Sequence, residues 1–176
     1  MNRKKLIIRN TVIILILFFL ILNRIGLYLT PLSAHENSER SAHYGPSKIV
    51  HEQDFGKGRY YLCTYDKWVS CNTIKKELLF FWRFGNQVTG FENDVSKPID
   101  YSWGATDNYH NFYGIRNDEN VAKVEITLEN GKIYSTSDFY EDLLLISWAE
   151  SDNQSFYFRN IKAYDINNNI IYEEEF

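Results

Sequence analysis

The chain has 176 residues, of which 16% are aromatic and 24% charged, with a formal net charge of −4. That net figure hides an asymmetry. Five of the 19 basic residues and none of the 23 acidic ones lie in the first 30 positions, which leaves residues 31–176 at −9 with His neutral. Such a surface repels phosphate backbones, which proteins bind by charge neutralisation, so nucleic acid is excluded as a partner, and anionic headgroups would not attract it either.

The first element is apolar. Thr11–Leu22 carries no charge and follows Arg3, Lys4, Lys5 and Arg9. Leu, Ile, Val and Phe occupy every side of a helix drawn through it, which leaves no polar face for a soluble domain to turn to water. A cleaved leader fits the basic start, but a cut after Ala34 would place Leu32 where a small residue is needed. An uncleaved signal-anchor fits better, because apolar character resumes at Leu6–Ile8 and Ile25–Leu29 and so extends the run towards the roughly 30 Å of a bilayer core. The division expected is a cytoplasmic tail at 1–5, a transmembrane helix at 6–29 stopped by Thr30-Pro31, a linker at 30–47 and a domain at 48–176. Basic flanks stay in the cytoplasm, so the domain is expected outside, as a single-pass cell-membrane protein or, if the leader is cut, a secreted one.

Residues 31–47 are polar and Ser-rich without apolar periodicity, as in a linker that holds a domain off the bilayer. His35, His43 and His51 recur every eight residues, a spacing that suits neither a helical nor a strand ligand set, so solvated histidines are expected and no metal or cofactor.

Short runs punctuated by Gly, Asn and Asp follow. Strands are expected at Arg59–Tyr65 and Trp68–Ile74, joined at Asp66-Lys67-Trp68. That turn sets Cys63 opposite Cys71, where an oxidising compartment could join them in a disulfide. Lys75-Lys76-Glu77 is read as an interruption, with a helical turn possible at 74–79, and Leu78–Phe84 as a buried strand. Residues 85–98 form a long loop with one short edge strand. Val121–Ser137 alternates around Asn130-Gly131, a type I′ signal that sets Leu128 opposite Ile133. Leu143–Trp148 is apolar throughout, as expected of a strand covered on both faces. Strands at 155–158, 161–165 and 170–173 close the chain. Eight to ten short strands and no second helix give an all-β fold, an antiparallel sandwich or barrel behind one transmembrane helix.

Catalytic signatures are missing. The chain has no G-x-S-x-G elbow, H-E-x-x-H motif or phosphate-binding Gly loop, and the calcium-loop likeness at Asp165-x-Asn167-x-Asn169 fails because Ile170 replaces the turn Gly. A Cys–His nucleophile built from Cys63 or Cys71 with His110 is disfavoured by their place inside strands. The most site-like stretch is Asp100–Tyr113, where Trp103, Tyr109, His110 and Tyr113 interleave with Asp107 and Asn residues, the mixture that a sugar-stacking platform needs. Ordinary strand packing and Asx turns are the competing reading.

The stretches IVHEQDFGKGRYYLCTYDKW, FYGIRNDENVAKVEITLENGK and IKAYDINNNIIYEEEF, behind a basic amino terminus and one apolar segment, resemble small extracytoplasmic, membrane-anchored proteins of Bacillus-type Gram-positive bacteria. The resemblance implies a cell-surface location and carries no activity. The functional expectation is a non-enzymatic binding or interaction module with a cell-wall glycan or protein as partner. The alternative is an envelope enzyme or enzyme inhibitor acting on peptidoglycan or secreted proteins.

Overall fold

The computed structural model describes residues 3–78, 80–150 and 157–176. A helix, α1 (Arg3–Arg24), leads into an all-β domain capped by a second helix, α2 (Pro31–Ser41). The strands among the described residues are β1 (Lys48–Phe55), β2 (Gly58–Tyr65), β3 (Trp68–Glu77), β4 (Phe81–Phe84), β5 (Phe91–Glu92), β6 (Ile99–Thr106), β7 (Tyr109–Arg116), β8 (Lys123–Leu128), β9 (Ile133–Thr136), β10 (Leu143–Ala149), β11 (Phe158–Tyr164) and β12 (Ile170–Glu175). They form three antiparallel sheets: sheet A in the order β1-β2-β3-β4 with β5 beside β3, sheet B as β10-β7-β6 and sheet C as β12-β11-β8-β9.

The layers stack as α2, sheet A, sheet B and sheet C. Period-two alternation along the strands explains the order, because each strand sends successive side chains to opposite faces. On β10, Leu143 and Leu145 pack with Tyr60, Leu62, Val69 and Cys71 of sheet A. Their neighbours Leu144, Ile146 and Trp148 pack with Val124, Ile126, Leu128 and Ile161 of sheet C. The unbroken apolar run of this strand thus reflects two covers. On β8 the buried residues alternate with half-buried Lys123, Glu125 and Thr127, since sheet C has one wet face.

Several expectations need correction. Residues 31–41 are helix, not linker. Thr30 does not stop α1; its hydroxyl accepts from the Ser33 amide at 3.1 Å and caps α2, and Pro31 begins the new helix, where its missing N–H is no loss. Lys75-Lys76-Glu77 continues β3 rather than interrupting it or turning helical, and among the described residues of the following run only Phe81–Phe84 is strand. The strand expected at 155–158 falls partly outside the described residues; β11 begins at Phe158 and runs unbroken through Tyr164.

Two hairpins form with shifted registers. The Asp66-Lys67 loop has two residues, so Tyr65 faces Trp68, Cys63 faces Ser70 and Leu62 faces Cys71. The one-residue difference sends the cysteines to opposite faces of sheet A, Cys63 towards α2 and Cys71 towards sheet B, and both remain free thiols. At Asn130-Gly131 only Gly131 has positive φ, 82°, and the loop is one residue longer than a type I′ turn. Thr127 therefore faces Ile133, which turns to the solvent side.

Candidate functional site

The five residues of the proposed stacking platform do not share a face. The β6–β7 hairpin carries all of them, and its register decides their fate. Tyr109 and Tyr113 point into the contact with sheet A, where Tyr113 is fully enclosed. His110 lies on the opposite face, stacked on Trp148 with ring centres 5.5 Å apart, and burial lowers its pKa against the pull of Glu150. Trp103, 49% exposed, shares that face and meets Phe158 edge-on at 5.4 Å. Asp107 sits in the loop between the strands, 3.0 Å from the Lys75 ammonium. Two tyrosines serve one core and the Trp–His pair flanks the other, so the aromatic content of this stretch is spent on layer packing.

The polar groups that do converge lie under α2. One face of that helix, Ala34, His35, Ser38 and Glu39, is pressed onto the outer side of sheet A. His35 is 2% exposed, not solvated, and its ring stacks on Tyr61 at 4.8 Å. Asn72, opposite Tyr61 on β3, donates to His35 Nδ1 at 2.8 Å and to the Ser38 hydroxyl at 2.6 Å. With Nδ1 accepting, the imidazole carries its proton on Nε2, which lies 3.4 Å from Glu39 Oε1. Glu39 in turn accepts from the Ser47 amide at 3.3 Å and from the Ser47 hydroxyl, which ties the helix to the segment that enters β1.

Cys63 completes the group, with Sγ 4.0 Å from His35 Nε2. A thiol beside an imidazole suggests nucleophilic chemistry, but the electrostatics oppose it. Burial pushes the Cys63 thiol up to about 12, and burial lowers His35 against the pull of Glu39, Glu36 and Glu52. Both shifts favour the neutral pair over the thiolate–imidazolium pair that such a nucleophile needs. No substrate atom can reach Sγ, because α2 and Tyr61 close over it. Among the described residues, no group of three or more His, Cys, Asp or Glu side chains is placed to hold a metal ion.

A second junction lies where α1 enters the domain. Leu22 and Leu27 pack with Phe81, and Tyr28 exchanges two backbone hydrogen bonds with Trp82, at 2.8 and 2.7 Å, so the chain leaving α1 lies alongside β4 at once. Sequence reasoning missed both assemblies. The usable signal was Thr30-Pro31 read as a cap, followed by His35 and Glu39 one helical turn apart.

Comparison with protein-family models, with curated proteins and with solved structures gives no match.

Proposed function

We propose that this chain is a single-pass membrane protein whose β domain stands outside the cell and acts as a non-enzymatic binding or interaction module. The observation that carries the reading is α1. Within Arg3–Leu22 an 18-residue window has a mean hydropathy of 2.4, and 6% of that window is buried within the protein. A helix this apolar, long enough at 1.5 Å per residue to fill about 30 Å of hydrocarbon, lacks any polar face to turn to water. Arg3, Lys4, Lys5 and Arg9 precede or open the apolar run and Arg24 alone follows before α2, a bias that favours a cytoplasmic amino terminus. The sealing of Cys63 and His35 beneath α2 supports binding over turnover.

Fractionation of intact cells tests the placement. The full-length protein is expected in the membrane pellet after alkaline carbonate washing, with the β domain cut by protease added outside. Recovery of the full-length chain in the cytosol, protected from that protease until lysis, would overturn the proposal.

A further inference from the structure

The chain passes from α1 to the domain with almost no slack. Arg24 ends the helix and Tyr28 already pairs with Trp82, so residues 25–27 bridge the two. Three extended residues span at most roughly 10 Å. If α1 fills the hydrocarbon core, β4 therefore starts at headgroup depth, and the domain rests on the bilayer instead of being held off it.

The hairpin at that depth has an unusual composition. At its tip Leu78 is 75% exposed and Phe80 58%, while Ile25 and Leu29 expose apolar side chains on the connecting chain. Behind the tip stand Lys75 and Lys76 on β3 and Arg83 on β4, against Glu77 as the only acid of the hairpin. Lys75 is engaged by Asp107, whereas the Lys76 ammonium lies 5.9 Å from the Trp82 ring centre. The domain as a whole carries −9, so this hairpin is a local reversal of sign, an apolar tip with a cationic neck. Exposed Leu and Phe gain free energy by leaving water for the acyl boundary, lysine and arginine are attracted to anionic headgroups, and tryptophan favours the interface between the two.

We infer that the β3–β4 hairpin docks onto the lipid surface beside α1, with Leu78 and Phe80 inserted at the acyl boundary and Lys76 and Arg83 against anionic headgroups. The contact holds the domain in one orientation on the membrane. It rests on the reading of α1 as a membrane helix, since the short connection is what brings the hairpin to lipid.

The test uses the full-length protein in vesicles of phosphatidylcholine and phosphatidylglycerol. An environment-sensitive fluorophore is attached through F80C or, as a control, through I166C, which lies in the β11–β12 turn of sheet C, on a different layer from the hairpin. Both positions are exposed, and the native thiols are fully buried. With lipids bearing a nitroxide high on the acyl chain, the probe at position 80 is expected to shift to the blue and lose most of its emission, while the probe at 166 keeps its own. Equal quenching at the two positions, in protein that stays in the vesicles through carbonate washing, would overturn the docking and leave the anchor standing. Loss of the protein from the vesicles on washing would overturn both. A blue shift at position 80 without quenching, growing with the protein-to-lipid ratio, would mean that a second copy covers the tip and would also overturn the lipid assignment.

Discussion

Sheet A is covered on both faces, and the two covers are built differently. Its inner face meets sheet B through Tyr60, Leu62, Val69 and Cys71 against Tyr113, Leu143 and Leu145, a contact between hydrophobic and aromatic bodies. Its outer face meets α2 through Tyr61, Cys63 and Asn72 against Ala34, His35, Ser38 and Glu39. Apolar burial is non-directional and scales with area, so the inner contact supplies stability. Buried hydrogen bonds are directional, add little net free energy when complete and cost a good deal when half made, so the outer contact fixes where α2 sits. The inner seam should therefore fail globally and the outer one locally.

The largest effect is expected at the inner seam. Leu62 is fully enclosed, and Leu62→Ala should lower the unfolding free energy by about 2–5 kcal/mol, read from urea denaturation of the detergent-solubilised protein. At the outer seam Asn72→Ala removes the donor that holds His35 Nδ1 and the Ser38 hydroxyl. A loss of about 1–3 kcal/mol is expected, together with faster proteolysis within residues 31–47 while the β core stays intact. If Asn72→Ala costs as much as Leu62→Ala and opens no new cleavage site near α2, the distinction between the two seams is wrong.

The inner seam was legible in the sequence and the outer one was not, for a physical reason. Alternation on β8 and the unbroken apolar run on β10 record solvent exposure directly, so the fold class and the double cover of β10 followed from pattern alone. The packing face of α2 is Ala34, His35, Ser38 and Glu39, and three of those four are residues that composition assigns to water. The burial of His35 and Ser38 depends on Asn72, 37 and 34 positions away in the chain, which no local window contains. Registers failed by single residues, since loop length decides them. The Asp66-Lys67 and Asn130-Gly131 loops each differ by one residue from the turn assigned, which was enough to part the cysteines and to turn Ile133 outwards. Alternation likewise divides the rings of the stretch at 100–113 between two faces.

Acid should separate the seams further. Burial lowers the pKa of His35 against the pull of Glu39 and Glu36 on its own helix and of Glu52 on β1, so the unfolded chain takes the proton more readily than the fold does. The contribution is fully present above the ordinary histidine value of about 6.5 and is lost as pH falls through the lowered folded value. His51 and His110 are lowered by burial too and act in the same sense. Protease cleavage near α2 should rise as pH drops below that of an ordinary histidine. His35→Gln should flatten that rise, and a variant profile that superimposes on the parent would remove His35 from the explanation.

A smaller change is expected where charge sits at the rim. Arg59 donates to Asp54 at 2.7 Å and to Glu52 at 2.7 Å across the β1–β2 hairpin, and its hydrogen bond holds the Asp54 carboxyl below the usual range. Both acids are substantially exposed, so screening leaves little of the Coulomb energy. Arg59→Gln should cost roughly 0.5 kcal/mol, and added salt should shrink the difference between parent and variant.

The smallest effect expected is none at all, and it bears on the register that divides the two seams. Cys63 belongs to the outer seam and Cys71 to the inner one because Cys63 faces Ser70 across the β2–β3 ladder. A disulfide would require the sulfurs to meet on one face, so reductant should leave the unfolding midpoint and the non-reducing gel mobility unchanged. Burial raises both thiols, so an alkylating reagent at neutral pH should modify them only as fast as the chain opens. The two should differ in which opening exposes them. Asn72→Ala should speed modification of Cys63, which lies under α2, and leave Cys71 to react at the rate of global unfolding. Equal acceleration at both sites would mean that α2 and the sheet core open as one unit.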